Sequence, residues 1–174
     1  AGKEVSKLVD YLGALVITTT AGKGVIDDNH PLVVSGGTVR AEAREYLSRA
    51  DLILAIGTEM AETDNYVGKY SINGKIVRID IDDKKIDDSY KATVGLVGDA
   101  KETVKRLNAK LHNSVPLEQL ESARNAVIEI KRKIDTNLTK SEKRHKKLLT
   151  ILRAIAPLET IFATDACQLS YTGV

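Results

Sequence analysis

The stretch Lys75 to Ala100, KIVRIDIDDKKIDDSYKATVGLVGDA, decides the fold. It holds two short β-branched runs, Ile76 to Ile81 and Thr93 to Val97, and each ends in carboxylates: Asp80 with Asp82, then Asp99. Short apolar runs bounded by turn residues read as buried strands of a parallel sheet. Ligands of such sheets bind outside the carboxyl ends of the strands, where an acidic side chain can accept hydrogen bonds from a ribose diol. The same aspartates also suit helix caps and tight turns. Both readings stand on spacing alone.

Working outward, Asp51-Leu52-Ile53-Leu54-Ala55-Ile56-Gly57 reads as a central strand, with Gly57-Thr58 at its carboxyl end. A glycine there lets the backbone approach a ligand closely. Ala14 to Thr19 reads as another buried strand, and Thr160 to Asp165 as a fifth. The first four runs predict one parallel sheet with helices on both faces, and the fifth a separate sheet. Helical spacing marks Gly2 to Leu12 (Val5, Leu8, Val9, Leu12), stopped by Gly13. It also marks Ala41 to Ala50, Ala100 to Leu111, Leu117 to Ile134, and the Leu148-Leu149-Leu152-Ile155 stripe before Pro157. Asn73-Gly74 and Ser35-Gly36-Gly37 read as turns.

The chain opens on a helix that leads into a strand, whereas a doubly wound fold places a strand before that helix. The expectation is an N-terminus cut inside a domain, and a tail that begins a second α/β segment without finishing it. The corresponding division is 1–111 as the first domain, 112–140 as linker and helix, and 141–174 as the start of the second.

Composition bounds the function. Of 174 residues, 43% are hydrophobic, enough for a core, but 4% are aromatic with no Trp, so the core is aliphatic. The formal net charge of +2 does not point to a nucleic-acid surface. A single cysteine, Cys167, excludes an internal disulfide and suits a reducing cytoplasm. No apolar run reaches the roughly 18 residues of a membrane span. Thr20-Ala21-Gly22-Lys23-Gly24 is glycine-rich but matches neither phosphate-loop fingerprint. His30 is a lone loop histidine without metal-ligand spacing. Glu62 and Asp64 read either as an acid–base pair or as solvated charges. The basic run from Lys131 to Lys147 reads as a solvated face.

An ordered set of segments carries a resemblance. Thr18 to Ile26, His30-Pro31-Leu32, Ala50 to Thr58, Ile79-Asp80-Ile81-Asp82 and Gly98-Asp99-Ala100 follow one another at plausible gaps. Together they resemble the central, Rossmann-like domain of thiamine-diphosphate-dependent enzymes of the acetolactate synthase and 2-oxo acid decarboxylase group. The likeness runs to about Leu111 and resumes at Ile161 to Gln168, which is similar to the start of that family's diphosphate-binding domain.

The resemblance implies a cytoplasmic enzyme, a homodimer or homotetramer, acting on a 2-oxo acid with thiamine diphosphate and Mg2+. Its ylid attacks the substrate and the cofactor serves as electron sink. It further implies that the ring-activating glutamate and the magnesium-binding G-D-G…N segment lie outside this chain. No catalytic or metal residue is then expected here, and the chain alone is expected to be inactive. Gly57, Thr58, Asp80, Ile81, Gly98, Asp99 and Ala100 match positions that contact the adenine end of FAD in flavin-containing members. Glu59 and Thr63 stand where those synthases carry arginines, so FAD is disfavoured, and the resemblance leaves the site either empty, as in many decarboxylases, or open to another nucleotide such as ADP. The run from Gly57 to Asp64 looks more like decarboxylases of guanidino-2-oxo acids. Ala166, Cys167 and Gln168 fall at positions that approach the thiamine diphosphate phosphates, with Cys167 as a small pocket residue. The competing expectation is a stand-alone nucleotide-binding or subunit-assembly module without catalysis.

Overall fold

The computed structural model describes residues 1–111 and 115–173. The chain is α/β with parallel pairing throughout. Helix α1 (Gly2–Leu12) places Val5, Leu8 and Val9 inward, and Gly13 ends it in the left-handed conformation at φ 54°. That conformation costs a residue with a Cβ about 1–2 kcal/mol. Strand β1 (Val16–Ile17) pairs with β2 (Val33–Val34). Helix α2 (Ala41–Arg49) leads into β3 (Leu52–Ile56), and a short helix α3 (Glu62–Asn65) follows. Strands β4 (Lys75–Asp80) and β5 (Val94–Val97) complete a second ladder, ordered β3-β4-β5. Helices α4 (Ala100–Asn108), α5 (Leu117–Asn137), α6 (Lys140–Ile155) and α7 (Gln168–Gly173) close the chain.

One apolar cluster gathers Val5, Leu8 and Val9 of α1, Val33 of β2, Ile79 of β4, Val104 of α4 and Ala123 of α5. Val16, Leu54, Ile56 and Leu96 pack against it, so both ladders share this face. The opposite face is divided. Val34 and Ala43 cluster with Val127 and Ile130 of α5, while Ile53, Ala55, Met60 and Ile76 form a separate group. Helix α2 joins the two, sending Tyr46 to the first and Leu47 to the second.

Four expectations are corrected. The first four runs form two ladders rather than one sheet: among the described residues, no rung joins β1 to β3. Strand β3, read as central, is therefore an edge strand, and Leu52 is 53% exposed. Strand β5 is not buried, since Val94 and Val97 lie open on the other edge. Thr160 to Asp165 is irregular, and Ile161 to Asp165 are exposed. β-Branched composition favours extended backbone, but a strand exists only where another strand completes its hydrogen bonds.

Candidate functional site

The carboxyl ends of the three-stranded ladder converge, because its strands are parallel and in step. Ile56 lies opposite Ile79, and Asp80 opposite Val97. Past these rungs the Gly57 N–H donates to the Ile79 carbonyl at 2.8 Å, and the Gly98 N–H to the Asp80 carbonyl at 2.8 Å. Gly57, Thr58, Asp80, Ile81, Gly98, Asp99 and Ala100 thus stand along one edge. Gly57 is left-handed, at φ 57°, with open space where a Cβ would point. The Thr58 hydroxyl accepts the Met60 N–H at 3.1 Å, steadying the turn.

The carboxylates at this edge organise backbone. Asp80 Oδ1 accepts the Asp82 N–H at 3.0 Å, Asp82 Oδ1 the Lys84 N–H at 3.0 Å, and Asp99 Oδ1 the Glu102 N–H at 3.0 Å as the cap of α4. Each of these contacts uses one of a carboxylate's two oxygens. Ile81 projects into solvent, 75% exposed. The edge is therefore an open surface of turn-forming acids.

Lys85 was not singled out by the sequence, yet it governs the charge here. Its ammonium lies 3.1 Å from Glu59 and 3.2 Å from Asp88, and hydrogen bonding to Glu59 first, then Asp88, raises its pKa. Glu59 is thus held by a cation across the mouth between β3 and the turn after β4. Beneath it Arg78 is fully buried, its guanidinium bonded to the Lys85 carbonyl, with Nε and Nη2 lacking partners among the described residues. An arginine inside the apolar run Ile76 to Ile81 was the available signal for it.

Glu62 is exposed, and the Asp64 carbonyl accepts the Thr38 hydroxyl at 2.8 Å. His30 contacts Asp10 at 3.3 Å.

A second concave region lies at the carboxyl end of β1 and β2, against α5 and α6. A cavity of about 620 Å³ adjoins one of about 290 Å³, and Ser35, Ile134, Asp135 and Lys146 line both. Lys23 spans the rim, 3.2 Å from Ser35 and 3.1 Å from Asp28. Burial pushes the Asp28 carboxyl up, but hydrogen bonds from Ser35 and Lys23 outweigh it, and its pKa is lowered.

Ala166, Cys167 and Gln168 stand apart from both regions and are exposed. Cys167 Sγ lies 3.2 Å from Ser170 Oγ, and that hydrogen bond lowers the thiol pKa. Helix α7 packs on α6, with Thr172 Oγ1 3.0 Å from His145 Nδ1, and Tyr171 meets Tyr66 edge-on with centroids 5.8 Å apart. Ala166 and Cys167 precede α7, and Gln168 opens it. Among the described residues, no group of three His, Cys, Asp or Glu side chains is disposed to hold a metal ion.

Comparison with known proteins adds a second line of observation. The family model described as "Thiamine pyrophosphate enzyme, central domain" matches residues 1–107. A probable 2-ketoarginine decarboxylase of Pseudomonas aeruginosa is 34% identical over 175 residues, covering 99% of this chain and 31% of its own length. A probable acetolactate synthase large subunit of Methanococcus aeolicus is 35% identical over 114 residues, 64% of this chain and 19% of its own. The corresponding protein of Methanocaldococcus jannaschii is 27% identical over 179 residues, 97% of this chain and 30% of its own. The chain thus spans about a third or less of these relatives.

Proposed function

The chain belongs to the thiamine pyrophosphate enzyme family through its central domain, and from that premise we propose that it is the supporting part of a thiamine-diphosphate-dependent enzyme that decarboxylates a guanidino-2-oxo acid. The carrying observation is the alignment with the probable 2-ketoarginine decarboxylase, which runs over 99% of this chain, past α4 and through the tail. Acetolactate synthase-like carboligation is the neighbouring activity, supported by the relatives of that name.

In this reading the chain supplies scaffold rather than chemistry. The residues that it contributes do not enclose the cofactor, so no bond-making step is assigned to them. Ala166, Cys167 and Gln168 complete the phosphate-binding wall together with residues from elsewhere in the enzyme, and magnesium is held elsewhere. The open edge from Gly57 to Ala100 is a weak adenine-nucleotide surface. Two features support ribose recognition there: the open approach at Gly57, and the second carboxylate oxygens of Asp80 and Asp99. The Glu59–Lys85 pair works against a bound pyrophosphate by placing a carboxylate beside it.

The test is to express the complete reading frame that contains this chain and measure carbon dioxide release with thiamine diphosphate and Mg2+. Release from 5-guanidino-2-oxopentanoate well above that from pyruvate supports the proposal. Acetolactate formation from pyruvate, with no turnover of the guanidino acid, would transfer the assignment to the synthases. No turnover of either acid would defeat both.

A further inference from the structure

Strand β4 carries a cation on a buried apolar face. Side chains alternate along a strand, so Arg78 shares a face with Ile76, which clusters with Ile53, Ala55 and Met60. At its own rung stand Ala55 of β3 and Gly95 of β5, so neither neighbouring strand crowds the guanidinium with a large side chain. Ile86 closes the Gly95 side, since a Cβ there would come within 2.4 Å of its Cγ2.

Arg78 is 0% exposed, and among the described residues its hydrogen bond is the one from Nη1 to the Lys85 carbonyl. Nε and Nη2 are buried without partners there. These two nitrogens form one edge of the guanidinium, and their parallel N–H bonds match two oxygens of an oxyanion. An arginine stays charged in a protein, and a buried charge calls for a counter-ion. The neighbouring carboxylates are committed elsewhere. Asp80 and Asp82 accept from the backbone of their own turn, and Glu59 and Asp88 hold the Lys85 ammonium.

We propose that the Nε–Nη2 edge of Arg78 binds a small monocarboxylate, seated between the β3-β4 face and the turn Asp83–Lys85. Charge selects the ligand class. One guanidinium neutralises one carboxylate, whereas a phosphate carries about −1.5 to −2 at neutral pH and would leave negative charge buried beside Glu59 and Asp88. The lining suits a short apolar body: Met60 and Ile76 belong to this face, and Tyr70 and Tyr90 pack against it. Entry is under the turn. Its side-chain ties are the ion pairs of Lys85, whose members are 32%, 53% and 48% exposed, and exposed pairs hold weakly. The site is distinct from the edge between Gly57 and Ala100, because Arg78 lies two residues inside the end of β4. The inference is independent of which 2-oxo acid is the substrate and of whether a nucleotide binds.

The probe is propionate, titrated into the full 174-residue chain at neutral pH and constant ionic strength. The Arg78 Nε–H signal is followed by heteronuclear NMR, and Tm is followed in parallel. Arg78→Lys keeps the charge and loses the fork, and its missing signal assigns the Arg78 resonance. Arg78→Met removes the charge. In the parent chain the signal should move saturably, with half-saturation below about 100 mM, and Tm should rise as propionate is added. Arg78→Lys should need about tenfold more propionate for the same rise in Tm, and Arg78→Met should show none. Inorganic phosphate should likewise need about tenfold more than propionate to move the signal. An Arg78 signal unmoved at about 100 mM propionate would overturn the proposal and leave the fork to water. So would an equal rise in Tm for the parent and Arg78→Met. Phosphate that binds as tightly as propionate would overturn the assignment to a monocarboxylate. Should Arg78→Met fail to fold, the signal in the parent chain decides alone.

Discussion

Replacing Glu142 by glutamine probes how α6 is fastened to the rest of the chain. Glu142 accepts from Arg40 Nη1 at 2.7 Å and from both the backbone N–H and the hydroxyl of Thr139 at 2.8 Å. It therefore serves as the third residue of a capping box and as an ion-pair partner across 102 positions of sequence. The Arg40 guanidinium first, then the two Thr139 donors, hold its pKa down, from an ordinary 4.5 to about 2. At about 1.36 kcal/mol per unit, that depression corresponds to a ceiling of roughly 3.4 kcal/mol. Side chains 20% and 26% exposed are screened by solvent, and exposed pairs measure below about 1 kcal/mol, so roughly 1–2 kcal/mol is the expected contribution. Because the folded-state pKa is depressed, this stability is present above pH 4.5 and is lost as pH falls towards 2. Glutamine keeps the capping acceptor but not the charge. Urea midpoints followed by far-ultraviolet circular dichroism should place E142Q below the parent by about 1 kcal/mol at pH 7, with the gap closing by pH 2.5. A gap that persists unchanged to pH 2.5, or none at pH 7, would refute the charge-based account of this contact.

Ile79→Ala should cost about 2–5 kcal/mol, since Ile79 is fully buried on the middle strand, whereas Ile81→Ala, two residues on and 75% exposed, should stay within about 0.5 kcal/mol; denaturant midpoints separate them. Asp99→Ala should lower stability by about 1 kcal/mol through loss of the α4 cap, and Asp99→Asn should restore most of it, by thermal melting. In the intact enzyme, Asp80→Ala should weaken ADP binding by about tenfold or more in calorimetry. Unchanged affinity would leave Asp80 as the acceptor of its own turn and nothing more.

The parallel α/β class was legible because the β-branched runs from Asp51 to Val97 are short, apolar and bounded by turns. Their lateral order was not. Burial on two faces shapes composition, whereas hydrogen bonding within the sheet is done by backbone, which every residue except proline shares. Asp51 to Gly57 could thus read as central while standing at an edge. Strand β2 escaped notice because two valines after His30-Pro31-Leu32 carry no period. Along the candidate edge, Gly57, Asp80 and Asp99 were readable as strand-end residues. The Glu59–Lys85 pair was not, since 26 residues separate its members and neither has a periodic signature.

Helix α5 has a consequence for where this protein can be divided. The family match stops at residue 107, yet Ala123, Val127 and Ile130 of α5 lie in the clusters that contain Val33, Val34 and Ala43. A polypeptide ending at Leu111 would therefore carry an uncovered aliphatic stripe and be prone to aggregate. One ending after Asn137 would keep its own lid. Recombination between relatives should respect the same border: an exchange at Asn108 inherits half of a packing arrangement, while an exchange between Asn137 and Lys140 passes between two helices.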